Sequence, residues 1–108
     1  MNKFEVVLLF SPEISTGVKK DKTDIFKKLI EDNGGKIINI EDWGLRDLSY
    51  KISNFSKAFY EFYQVEIDGN KIDAIKKNLN QDEIFVRHIF ISVKEHQELP
   101  TKLNNEKK

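Results

Sequence analysis

Apolar residues along this chain fall into runs of two different periods. Residues 3–10 are apolar on both faces, which predicts a central strand, and Ser11-Pro12 ends it because proline cannot continue an inner ladder. Over 15–33 the period lengthens. Val18, Ile25, Phe26, Leu29 and Ile30 recur at helical spacing, with lysines and acids on the other side. Asn33-Gly34-Gly35 supplies residues that tolerate positive φ at a helix stop. A second strand opens at Lys36 with Ile37, Ile38 and Ile40, changes phase at Trp43-Gly44, and resumes with Leu45, Leu48, Tyr50 and Ile52. Glycine inside a strand pattern marks a bulge or bend. Residues 53–56 read as a turn, 58–67 as an aromatic strand, and 68–70 as a turn leading into a helix with Ile72, Ile75 and Leu79 on one side. A last strand is expected over 84–94.

The order strand, helix, strand, strand, helix, strand predicts an α+β ferredoxin-like plait, βαββαβ, with a four-stranded antiparallel sheet and two helices on one face. Strand three is expected in the centre, beside strand one. Period two then divides the side chains. Val6, Leu8, Phe10, Tyr63, Val65, Ile67, Ile89, Ile91 and Val93 are expected towards the helices, and Val7, Leu9, Tyr60, Phe62, His88 and Phe90 on the open face. The second group is too apolar for a face that meets only water, so either a partner covers it or a helix or the tail does.

At 108 residues the chain is expected to form one domain, 1–95, with a flexible polar tail over 96–108. The apolar run ending at Phe10 is too short to span a bilayer, so no membrane association is expected. With no cysteine, thiol catalysis and thiolate metal sites are excluded. His88 and His96 lack metal-ligand spacing, and no glycine-rich phosphate loop occurs, so neither cofactor nor metal nor enzymatic activity is expected. An acylphosphatase would need an arginine in the loop after strand one, and residues 11–17 contain none. An RNA recognition motif would want an aromatic where Glu61 stands. Charge is high at 33% yet balanced, 18 basic against 18 acidic, so any RNA contact must be a local patch. The two arginines, Arg46 and Arg87, both lie on strands, where a guanidinium fork either meets phosphate or pairs with a neighbour such as Asp47.

Phe4-Glu5-Val6-Val7, the Gly34-Gly35 stop, Gly44-Leu45-Arg46-Asp47-Leu48-Ser49-Tyr50-Lys51-Ile52, and Phe59-Tyr60 leading to Phe62-Tyr63-Gln64-Val65-Glu66 resemble the sixth protein of the bacterial small ribosomal subunit. The resemblance covers about residues 3 to 94. It implies a cytoplasmic, ribosome-bound, non-enzymatic protein that binds the central domain of small-subunit ribosomal RNA. It also implies a heterodimer with the eighteenth small-subunit protein, supporting platform assembly. Position by position it implies RNA contacts at Lys3, Arg46, Arg87 and His88, with Asp47 standing where a second basic residue is frequent. Trp43, Leu45, Leu48, Tyr50, Tyr60 and Phe62 are the expected partner contacts, on the hairpin edge and part of the open face. The alternative is a small regulatory or ligand-binding plait domain that oligomerises through its open sheet face.

Overall fold

The structure, a computed structural model, describes residues 2–52 and 54–96, and of Tyr50 only the backbone. The elements are β1 (Asn2–Phe10), α1 (Thr16–Asp32), β2 (Lys36–Ile52), β3 (Phe55–Ile67), a 3-10 turn (Gly69–Lys71), α2 (Ile72–Asn80) and β4 (Phe85–Val93). They form one antiparallel sheet in the order β2-β3-β1-β4. Each helix links two parallel strands separated by a third, and right-handed crossovers of that kind place both helices on one face. This is the expected plait, with β3 and β1 central.

Local chemistry sets the ends of α1. Ser15 Oγ accepts the amide of Val18 at 3.2 Å, and the stop is a Schellman motif. Gly35 donates its N–H to the Ile30 carbonyl and Gly34 to that of Glu31, with Gly34 at φ 82°. Gly35 also lies so close to β3 that a Cβ there would meet the Glu66 carbonyl oxygen and Ile67 Cβ at 2.8 Å. The buried stripe of α1 is Lys19, Phe26 and Ile30. Val18 and Ile25, expected inward, each precede a buried position by one residue, about 100° round the helix, and both are exposed. Helix α2 buries Ile72, Ile75 and Leu79 as its spacing predicts.

The core joins Val6, Leu8 and Phe10 of β1 to Tyr63, Val65 and Ile67 of β3, closed by Phe26, Ile30 and the α2 stripe. Phe26 meets Tyr63 with centroids 4.7 Å apart, and Phe10 meets Phe85 at 5.2 Å.

The expected face assignment of β4 is overturned. Leu9 pairs with Arg87 but Phe10 pairs with Phe85, so Val86 is an extra residue that reverses the alternation. His88 lies opposite Leu8 and Phe90 opposite Val6, on the helix side. Ile89 and Ile91 are on the open face, 42% and 52% exposed.

The phase change expected in β2 occurs where glycine marked it. Asp42 pairs with Glu61 and Gly44 with Tyr60, leaving Trp43 as the inserted residue and Gly44 at φ 76°. The turn between β2 and β3 is shorter than expected. Ile52 pairs with Phe55, Asn54 takes φ 68°, and Phe55 and Ser56 belong to β3. Apart from residue 96, the expected tail lies outside the described residues.

Candidate interface on the open sheet face

The bulge in β2 turns Trp43 onto the face away from the helices. Its indole stacks on Phe62 at 5.3 Å with 6° between ring planes, and on Tyr60 at 6.3 Å. Trp43 therefore roofs Phe62, which is only 3% exposed although no helix covers it. Glu41 Oε1 accepts the indole N–H at 2.8 Å, which fixes the ring. Arg46 donates from Nε to the Trp43 carbonyl at 3.0 Å and lays its guanidinium over the indole, 5.6 Å from the centroid. Asp47, the expected carboxylate for Arg46, is in register with Lys57 and pairs with it at 3.9 Å.

Beyond the shelf the hairpin reaches past β1 and curls over the face. Leu48, Ser49 and Ile52 then wall a cleft of about 200 Å³ together with Leu9, Tyr60, Arg87 and Ile89. Arg87 sits in this cleft, exposed, with no ion pair to any described residue. An unpaired guanidinium bordered by apolar side chains can take a phosphate or carboxylate without first breaking a bond.

A polar ladder crosses the other half of the face. Asn39 Nδ2 donates to Gln64 Oε1 at 3.0 Å, and Gln64 Nε2 donates to Glu5 Oε2 at 3.2 Å. His96 Nδ1 lies 3.7 Å from the same Glu5 oxygen. At the end of the ladder Lys3 pairs with Glu95, and Lys36 with Glu66, both at 3.5 Å.

The structure thus brings Trp43, Tyr60, Phe62, Leu48, Arg46 and Arg87 together, and sets three expected residues apart. Leu45 pairs with Phe59, so it belongs to the helix side. Lys3 is at the far end of the sheet. His88 is on the helix side, its Nε2 2.9 Å from Asn80 Oδ1 and its ring edge-on to Phe90. Burial, and after it the charge of Lys76, push the His88 imidazole below its ordinary pKa. The side chain of Tyr50 lies outside the described residues. Ile89 and Ile91 are the face residues that sequence reasoning missed. Val86 carries no residue-type signal of a bulge.

Beneath the shelf, on the helix side, lies a buried ionic cluster that no motif announced. Lys19 Nζ donates to Asp42 Oδ2 at 2.8 Å and to Glu61 Oε2 at 3.0 Å. Glu61 Oε1 accepts from Thr23 Oγ1 at 2.7 Å and from the Tyr63 hydroxyl. Burial alone would lower the Lys19 pKa, but the hydrogen bonds and charges of Asp42 and Glu61 outweigh it and raise the value. Burial and the Glu61 carboxylate push the Tyr63 phenol strongly up. A glutamate among β3 aromatics, at a core-facing position, was the available hint of a buried cation. Among the described residues no three His, Asp or Glu side chains converge as a metal site would need.

The family described as Ribosomal protein S6 matches residues 3–92. Small ribosomal subunit protein bS6 of Bacteroides thetaiotaomicron is 34% identical over 89 residues, covering 82% of this chain and 78% of its own length. The protein of the same name from Bacteroides fragilis is 33% identical with the same coverage. Among solved structures, 30S ribosomal protein S6 from Thermotoga maritima superposes with a TM-score of 0.81 at 20% identity, over 85% of this chain and 87% of that one.

Proposed function

Because the chain belongs to the ribosomal protein S6 family, we propose that its open sheet face docks the eighteenth small-subunit protein while Arg46 and Arg87 meet phosphates of the ribosomal RNA. The family is structural rather than enzymatic, and the chain is a structural constituent of the ribosome. The observation that carries the finer reading is Arg87, with no ion pair among the described residues, in a cleft bordered by exposed Ile89. Cations and apolar surface meet there on one face, as a site shared between RNA and a protein requires. Zero formal net charge agrees with a local patch whose affinity is completed by protein–protein burial. Lys3 joins the RNA surface only by giving up Glu95. His88 is left out of that surface because it faces the helices.

The test mixes the full chain, the eighteenth small-subunit protein and the central domain of small-subunit RNA across a range of salt. Salt-dependent RNA binding that needs both proteins supports the reading. A self-associating chain that ignores the second protein would instead make the open face, with Ile89 and Ile91, a contact between copies.

A further inference from the structure

We infer that Lys19, on the helix side of the sheet, is a positioning residue for the docking surface on the opposite side. The inference rests on the reading of the Trp43 face as an interface. The two oxygens of Asp42 point to different partners. Oδ2 accepts from Lys19 Nζ at 2.8 Å, and Oδ1 accepts from the Gly44 amide at 2.9 Å. Trp43 lies between Asp42 and Gly44 in sequence and is the residue that the bulge expels onto the open face. Arg46 then takes hold of the Trp43 carbonyl. Successive hydrogen bonds therefore run from α1 through Asp42 and around the bulge to the guanidinium on the far face.

Lys19 is suited to anchor such a chain because its ammonium is held on several sides. Its side chain is 9% exposed. It has a second carboxylate in Glu61, itself fixed by Thr23 and Tyr63, and the Phe59 ring 5.7 Å away. The Asp42 side chain is 58% exposed and has no comparable packing of its own. The buried ammonium selects the carboxylate rotamer, and that rotamer presents the second oxygen to Gly44. The bulge geometry, and with it the stack of Trp43 on Phe62, follows from that choice.

Trp43 is the only tryptophan in the chain, so its fluorescence reads the bulge without any partner. The variants are Lys19→Met, Lys19→Arg and Asp42→Asn, with Lys22→Met, which breaks the ion pair to Asp82 outside the cluster, as the control on the same helix. Asparagine offers one acceptor oxygen where two donors wait, so Asp42→Asn cuts the relay at an exposed residue and leaves the core intact. In the full chain, Lys19→Met and Asp42→Asn are expected to shift Trp43 emission to the red, increase acrylamide quenching, and reduce the near-ultraviolet ellipticity of the stack. Lys19→Arg restores part of the signal, and Lys22→Met leaves it unchanged. If Lys19→Met does not fold, Asp42→Asn decides. Folded Asp42→Asn with wild-type emission and quenching overturns the relay. Shifted spectra with unaltered binding to the second protein and RNA support the relay and overturn the interface reading instead.

Discussion

Arg46 grips Trp43 twice, through a 3.0 Å hydrogen bond to its carbonyl and through a guanidinium lying over its ring. Lysine cannot reproduce both, since it has no planar fork and no Nε donor at that depth. Arg46→Lys is therefore expected to weaken RNA-complex assembly despite keeping the charge. Arg46→Ala should also reduce the slope of log affinity against log salt by roughly 0.7–0.9, the contribution of one phosphate contact. Filter binding over a salt series reads both. An unchanged slope for the alanine variant would remove Arg46 from the RNA contacts.

Neighbouring residues on α1 have opposite environments. Phe26 is fully buried against Tyr63, whereas Ile25 is 51% exposed. Phe26→Ala should cost about 3–5 kcal/mol in urea unfolding. Ile25→Ala should stay within about 0.5 kcal/mol, as exposed substitutions do. Similar costs for the two would mean that the helix is rotated from the orientation described.

Gly35 and Gly17 should respond to alanine with opposite signs. A methyl at Gly35 runs into the backbone of β3 at 2.8 Å, a contact that only a shift of α1 or β3 can relieve, at about 1–3 kcal/mol. At Gly17 the nearest atom is Ser15 Oγ at 3.9 Å, so alanine gains helix propensity at no steric cost, about 0.5 kcal/mol. Thermal unfolding of the two variants measures this.

Stability should fall at both ends of the pH range. His88 has its pKa depressed in the folded state, so below the ordinary value of 6.5 the unfolded chain binds the proton more readily. Stability is then lost as pH falls through 6.5 towards the folded value. Above pH 10 the unfolded chain releases the Tyr63 proton, and above 10.5 that of Lys19, while the folded chain retains both. Stability falls again as pH rises. Denaturant midpoints between pH 5 and 11 trace the curve. His88→Gln should flatten its acidic limb without moving the alkaline one.

Much of this arrangement was legible in the chain itself, for identifiable reasons. The bulge at Trp43 could be placed because Gly44 announces it, and the stop of α1 because Gly34 and Gly35 do. The bulge at Val86 uses an ordinary β-branched residue, so the alternation reversed unannounced and His88 and Phe90 exchanged faces with Ile89 and Ile91. The buried position of Lys19 was hidden for a different reason. Helical lysines are normally solvated, and the carboxylates that hold this one are 23 and 42 residues away. The cleft around Arg87 was illegible because it forms only when the hairpin end curls over Leu9 and Arg87, a tertiary event with no local pattern.

The ladder from Asn39 through Gln64 to Glu5 also has a consequence for how the sheet assembles. Both faces of β1 and β3 are rich in large apolar groups, so hydrophobic burial alone discriminates weakly against a slipped pairing. A slip of β1 by two residues that set Val7 in place of Glu5 would keep every side chain on its own face, yet it would leave the Gln64 amide, 1% exposed, against an apolar group with no acceptor. The three polar side chains tie β2, β3 and β1 together and favour the alignment in which both of their hydrogen bonds close.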